Sequence, residues 1–253
     1  MSKHTDLIHL GRDPKSQHGV VNPPVYHAST ILYPNIAAFK HRAVGDRKYR
    51  GVRYGAYGTP TTFALADAVS QLEGGAGGVV TSSGLAAVTM ALTAFLSSGD
   101  HLLMVDSVYT PTRDFCDSVL GRLGVETTYY DPLIGEGIVK LIRSNTRVVF
   151  TESPGSLTFE VQDIPAIAAT AHQSNVLILM DNTWATPLFF KPFEHGVDIS
   201  IQAGTKYLSG GSDLVVPADP AAYRSAVPWE ACGYLLRYHV GLEDPVDLIS
   251  DLA

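Results

Sequence analysis

Five short apolar or strand-like runs recur at intervals between positions 101 and 203: HLLMVD (101–106), VETTYY (125–130), RVVFTE (147–152), VLILMD (176–181) and DISIQA (198–203). A further run, GVV at 78–80, precedes them. Stretches with helical character lie between, after Gly84, after Pro111 and in IPAIAATAH. Most of the runs are too short for helices and too continuously apolar for strands with one wet face, so they read as strands buried on both sides. Strands of that kind alternating with helices specify an α/β fold with a mostly parallel sheet and helices on both faces. In such a fold ligands gather at the carboxyl ends of the strands, which here are marked by Asp106, Glu152, Asp181 and Lys206.

The rhythm sets the expected boundaries. Residues 1–60 have no sustained period, are broken by Pro14, Pro23, Pro24 and Pro34, and carry a basic interval at 40–53, so they read as an arm that packs on something else. The segment TFALADAVSQLE, closed by Gly74 and Gly75, begins a folded region spanning 61–210. Residues 211–253 offer one strand around 234–240 and one short helix after Asp244, too little for a second core. That tail is expected to pack on the main domain or to be poorly ordered.

Composition narrows the function classes. With 25 acidic against 18 basic residues the formal charge is -7, which makes nucleic acid and anionic membranes poor partners. Two distant cysteines, Cys116 and Cys232, form neither a disulfide framework nor a cysteine metal cluster, and no metal site is expected. The opening MSKHTDLIHLGRDP lacks the apolar core of a signal peptide, and no uncharged apolar stretch is long enough to span a bilayer. A cytoplasmic protein is the expectation.

Several residues could carry chemistry. Lys206, directly after the last apolar run in GTKYLSGG, is either a solvated strand-end lysine or a desolvated amine nucleophile able to form a Schiff base. Asp181 could cap the next segment or pair with a protonated pyridine nitrogen. TSSGLAAVTMAL from Thr81 sets small residues before a helix, an ordinary cap or a phosphate cradle, but it has neither Walker nor dinucleotide glycine spacing. Tyr109 could stack on a planar ring or simply line a core. RYGAYGTPTT (53–62) could complete a neighbour's pocket, and Arg237 in LLRYH is a carboxylate clamp or a surface arginine.

Taken together, these segments resemble the Cys/Met-metabolism family of pyridoxal-phosphate (PLP) enzymes, most nearly its bacterial cystathionine beta-lyases. The stretches that carry the resemblance are YGAYGTPTTFAL, QLEGGAGGVVTSSGLAAV, DSVYTPTRDF, TESPGSLTFEVQDIPAI, LMDNTWATPLFF, DISIQAGTKYLSG and YLLRYHVGLEDPVDLISDL. The resemblance implies the large domain of a PLP-dependent transferase-like, fold-type-I enzyme, with the C-terminal small domain largely missing. It implies that Lys206 forms the Schiff base with the cofactor and moves protons, that Asp181 pairs with the pyridine nitrogen, and that Tyr109 stacks on the ring. Gly84, Leu85 and Thr205 would hold the phosphate, Tyr54 would reach it from an adjacent subunit, and Arg237 would receive the substrate carboxylate.

The implied reaction is beta-elimination of L-cystathionine, a sulfur amino acid, to homocysteine, pyruvate and ammonia within methionine biosynthesis. Gamma-elimination or gamma-replacement, and a truncated non-catalytic remnant, are the alternatives. The implied assembly is a homo-oligomer, in the family a tetramer of active-site dimers. The chain departs from the family pattern in three places. Ala56 and Ala203 stand where an arginine and a serine commonly meet the phosphate. Only thirty residues lie between Lys206 and Arg237, which points to a large internal deletion joined near 210–214.

Overall fold

The computed structural model describes residues 3–41, 51–209, 214–218, 220–222, 224–230 and 235–239. It divides into two compact units, one running to Val80 and the other from Thr81 onward. No helix among the described residues is long and apolar enough to cross a membrane.

Among its described residues the N-terminal unit holds three α-helices: α1 (Lys3–His9), α2 (Ile36–His41) and α3 (Pro60–Glu73). The start of α3 is fixed by Thr59 and Thr62. The Thr59 amide donates to the Thr62 hydroxyl at 2.9 Å, and Pro60 occupies the first turn, where its missing N–H costs nothing. Gly74, left-handed at φ 79°, ends the helix where the sequence places its stop. The GVV run at 78–80 is not a strand, and Val79 is 86% exposed. Glycines at 74, 75, 77 and 78 leave this three-residue run little side-chain surface with which to hold a strand conformation.

The second unit is built on a five-stranded, all-parallel sheet in the order β2-β1-β3-β4-β5. Its strands are β1 (His101–Val105), β2 (Glu126–Tyr130), β3 (Thr146–Glu152), β4 (Leu177–Asp181) and β5 (Ile199–Ile201). All five positions of β1 are buried, as are six of seven in β3. Helix α4 (Gly84–Phe95) enters before β1, and α5 (Thr110–Phe115), prolonged by a π-helical turn at Cys116–Leu120, links β1 to β2. Helix α6 (Ile164–His172) joins β3 to β4, and the short α7 (Thr186–Phe189) follows β4. The core is mostly aliphatic, with Leu92, Leu102, Leu103, Val149, Ile167 and Ile178 fully buried beside the aromatic Phe150. This is the parallel α/β architecture the apolar runs predict.

Beyond Lys206, β6 (Leu214–Ala218) and β7 (Leu235–His239) form an antiparallel pair. The expected strand near 234–240 is therefore present, joined to a second strand that periodicity did not isolate. The expected helix after Asp244 lies outside the described residues. Residues 224–227 pack onto the main sheet through contacts described below.

Candidate active site

Three parallel strands end side by side and bring the candidate groups to one rim. In the register of β3 and β4, Glu152 stands opposite Asp181, and in that of β4 and β5, Asp181 stands opposite Ile201. The ends of β4 and β5 are tied beyond the ladder. The Asn182 amide donates to the Ile201 carbonyl at 2.9 Å, the Gln202 side chain donates to the Asn182 carbonyl at 2.9 Å, and the Ala203 amide donates to the Thr183 hydroxyl at 2.9 Å. These bonds hold Asp181 and the turn carrying Lys206 in fixed relation.

The Asp181 carboxylate accepts the Thr183 amide at 3.0 Å. Burial pushes its pKa up, and the Thr183 hydrogen bonds only partly oppose this. A cation beside it would supply the missing charge compensation, so the site suits a protonated ring nitrogen. Lys206 follows a tight turn in which its own amide donates to the Ala203 carbonyl at 3.0 Å. Its side chain is exposed rather than sunk in an apolar floor, because the turn at 203–206 carries it beyond the end of β5. Thr205 lies in the same exposed turn.

The start of α4 supplies the remaining polar contact. The Ser83 hydroxyl oxygen accepts the Ala86 amide at 3.0 Å, and the Ala87 amide donates to the Ser83 carbonyl at 3.0 Å. Helix geometry leaves the amides of Gly84 and Leu85 without an intrahelical acceptor, at the positive end of the helix dipole. A Cβ at Gly84 would lie 2.7 Å from the Cβ of Ala203, so only glycine permits this approach of α4 to the turn after β5. That close approach joins the helix amides to the lysine turn, which fits a phosphorylated ring whose other end meets Lys206 and Asp181. Ala203 supplies a methyl at this junction where a hydroxyl would add a donor.

Tyr109 begins the turn into α5 and is 47% exposed, which leaves it accessible as a stacking platform. Its backbone amide donates to Glu152 Oε2 at 2.8 Å. The sequence placed Glu152 at a strand end but gave it no task, because the bond spans 43 positions and no local motif announces it. Asp106, equally marked only as a strand end, is wholly buried and paired with Arg113 Nη2 at 2.5 Å. The Arg113 guanidinium in turn lies 3.7 Å over the Tyr129 ring. An aromatic cluster adjoins the lysine turn, with Phe159 edge-on to Trp184 at 5.0 Å and Trp184 tilted against Tyr207 at 5.5 Å.

Two further expected site residues belong to other elements of the chain. Tyr54 belongs to the N-terminal unit, where its hydroxyl accepts from the Ser29 hydroxyl at 3.4 Å and its ring meets Tyr57 edge-on at 6.2 Å. Arg237 lies in β7, paired in register with Val216. The rim therefore gathers Gly84, Leu85, Tyr109, Asp181, Thr205 and Lys206 within the second unit.

Comparison with known proteins gives the family and the fold. The family of Cys/Met metabolism PLP-dependent enzymes matches residues 4–218. A Rhizobium johnstonii protein provisionally named cystathionine beta-lyase is 56% identical over 227 residues, covering 90% of this chain and 55% of its own. Cystathionine beta-lyase MetC of Escherichia coli is 45% identical over 214 residues, covering 84% of this chain and 54% of its own. The crystal structure of cystathionine gamma-lyase from Lactobacillus plantarum in complex with L-serine superposes with a TM-score of 0.74 at 31% identity, covering 83% of this chain and 52% of that one. The chain thus spans about half the length of the curated relatives it matches.

Proposed function

Since the chain belongs to the Cys/Met metabolism PLP-dependent enzyme family, we propose that it is a PLP-dependent carbon–sulfur lyase that converts L-cystathionine to homocysteine, pyruvate and ammonia. One observation carries the reading. Lys206, Asp181 and the amides at the start of α4 meet on a single sheet rim, at the close Gly84–Ala203 approach. The names of relatives such as the Escherichia coli lyase favour beta-elimination as the reaction.

When bound, PLP supplies an electron sink for the carbanion left by loss of the substrate's alpha proton. The chain's own groups do the rest. Lys206 Nζ would provide the amine that holds the cofactor, and as a free amine it would take up the substrate's alpha proton and pass it to the departing homocysteine sulfur. The Asp181 carboxylate keeps the ring nitrogen protonated, and that charge in turn keeps Asp181 ionised despite its burial. Gly84 and Leu85 donate backbone amides to the phosphate, Thr205 adds its hydroxyl, and Tyr109 covers one ring face. Arg237 takes the substrate carboxylate through its planar fork. Tyr54 serves the pocket of a neighbouring subunit in a cytoplasmic homo-oligomer, which light scattering on the purified chain tests directly.

The absorbance spectrum of the chain with PLP, beside that of Lys206→Ala, tests the assignment. A band near about 420 nm that requires Lys206 supports it. Spectra of both proteins that match free cofactor would instead favour a non-catalytic remnant. Gamma-elimination is the second reading, favoured by the likeness to the Lactobacillus plantarum gamma-lyase. Product analysis separates the two, since beta-elimination yields pyruvate and homocysteine whereas gamma-elimination yields 2-oxobutyrate and cysteine.

A further inference from the structure

A heavily bonded group on the rim, Asp106, is one to which the proposed reaction gives no task. The Asp106 carboxylate, wholly buried, accepts the Ser225 amide at 2.9 Å, the Ala226 amide at 2.7 Å, the Val227 amide at 3.3 Å and the Ser225 hydroxyl at 3.0 Å, in addition to Arg113. Three successive amides converging on one carboxylate form an anion-binding nest, here filled by the chain's own side chain. An ionised carboxylate offers about four lone-pair sites, and Arg113 alone leaves most of them empty. The turn after β1 is therefore completed only by a segment that arrives 119 positions later.

The residue just before the nest is anchored as well. The Arg224 side chain is 4% exposed, donates to the Thr158 hydroxyl at 3.0 Å and pairs with Glu160. Thr158 and Glu160 belong to the loop after β3, and that loop is itself pressed onto the turn after β1. The Ser156 amide donates to the Ser107 carbonyl at 2.7 Å, and a Cβ at Gly155 would come within 2.3 Å of Ser107 Oγ. Tyr109 lies in this same turn, its amide on Glu152. The turn is thus gripped by the 225–227 segment, by the loop after β3 and by the end of β3.

We propose that Arg224–Val227 is a clamp, with Asp106 and Arg224 as positioning residues, that seats the C-terminal segment on the rim and fixes the turn presenting Tyr109. The importance of Tyr109 rests on the lyase reading above, whereas the clamp rests on these contacts alone. It assigns residues 224–227 a task separate from substrate binding by Arg237: without them the turn presenting the stacking residue loses one of its three holds.

Hydrogen exchange read by mass spectrometry on the full chain tests this without cofactor. In the unaltered protein, peptides covering 105–110 and 224–230 should both be protected. Arg224→Ala should speed exchange in both by about tenfold, and Arg224→Lys should restore part of the protection. Peptides from the interior of β3 report whether the sheet stays folded. If Arg224→Ala disturbs them, Ser225→Pro, which removes one amide and one hydroxyl from the nest and leaves both acids in place, is read instead. With PLP added, the dichroism of the cofactor band should weaken in Arg224→Ala and recover in Arg224→Lys. Unprotected exchange of 224–230 in the unaltered chain overturns the proposal. So does a variant that frees 224–230 while 105–110 stays protected. A missing Lys206-dependent band in the unaltered chain would sink the lyase reading, and the exchange result would still decide the clamp.

Discussion

At Leu103 and Phe150 the sheet is sealed by neighbouring strands and covering helices, while two or three residues further along the same strands, at Asp106 and Glu152, it is held by charge and hydrogen bonds. The interior uses side chains that any apolar residue of similar volume could replace in part. The rim uses specific donors for specific acceptors, most of them far apart in sequence: Tyr109 to Glu152, Arg224 to Glu160, Ala226 to Asp106. One region is stable because water is excluded from it. The other is stable only when every polar partner is present, since a buried acid that loses its donors keeps the full cost of its desolvation.

The sharpest way to break this contrast is to damage each region once and compare. Phe150→Ala opens a cavity in the fully buried interior and should cost about 3–5 kcal/mol in urea unfolding, with loss of native signal throughout the second unit. Arg113→Ala leaves Asp106 charged and buried, and should cost about 3 kcal/mol. Its effect, unlike that of Phe150→Ala, should shrink when Asp106→Asn is added, a coupling that a double-mutant cycle measures. Ser83→Ala removes the cap of α4 and should cost about 1 kcal/mol by the same unfolding measurement, a local loss that leaves the sheet intact.

The gentlest effect separates the regions by pH. His101, buried between the hydroxyls of Thr146 and Thr128, has its pKa lowered by burial first and by Arg143 second, with Glu126 opposing. The folded state thus resists protonating it, so its contribution is complete above the unfolded value of about 6.5 and fades as pH falls below that. Asp106 titrates in a lower window. Burial raises its pKa, but the Ala226 amide, Arg113 and the Ser225 donors together outweigh burial and hold it below the ordinary value. Its contribution is full above about pH 4 and is lost as pH drops through the depressed folded value. Unfolding midpoints followed from pH 8 to 3 should therefore decline in two stages. His101→Gln should remove the first, and Asp106→Asn the second.

Sequence and structure agree where physics is local. The runs HLLMVD, RVVFTE and VLILMD match β1, β3 and β4 almost residue for residue, because three to five continuously apolar positions bounded by polar residues have few other places to go. GVV at 78–80 shows where that reasoning ends, since three apolar residues among glycines do not suffice to form a strand. At the site, the rule that ligands gather at strand ends points to Asp181 and Lys206, and the family resemblance proposes their roles. It could not tell Asp106 from Glu152, although one closes on the tail and the other holds Tyr109. Those assignments depend on loops meeting in space, and no short spacing in the chain encodes them.

The distance between Asp106 and its amide donors also has a consequence in time. Ribosomes add about 5–20 residues per second, so the 119 positions from Asp106 to Ser225 take about 6–24 s to synthesise. All five strands of the parallel sheet have left the ribosome's active centre before the nest exists. During that interval Arg113, seven positions away, is the early counterion that allows the acid to be enclosed, and the nascent protein carries an unfinished edge that only residues 225–227 can close.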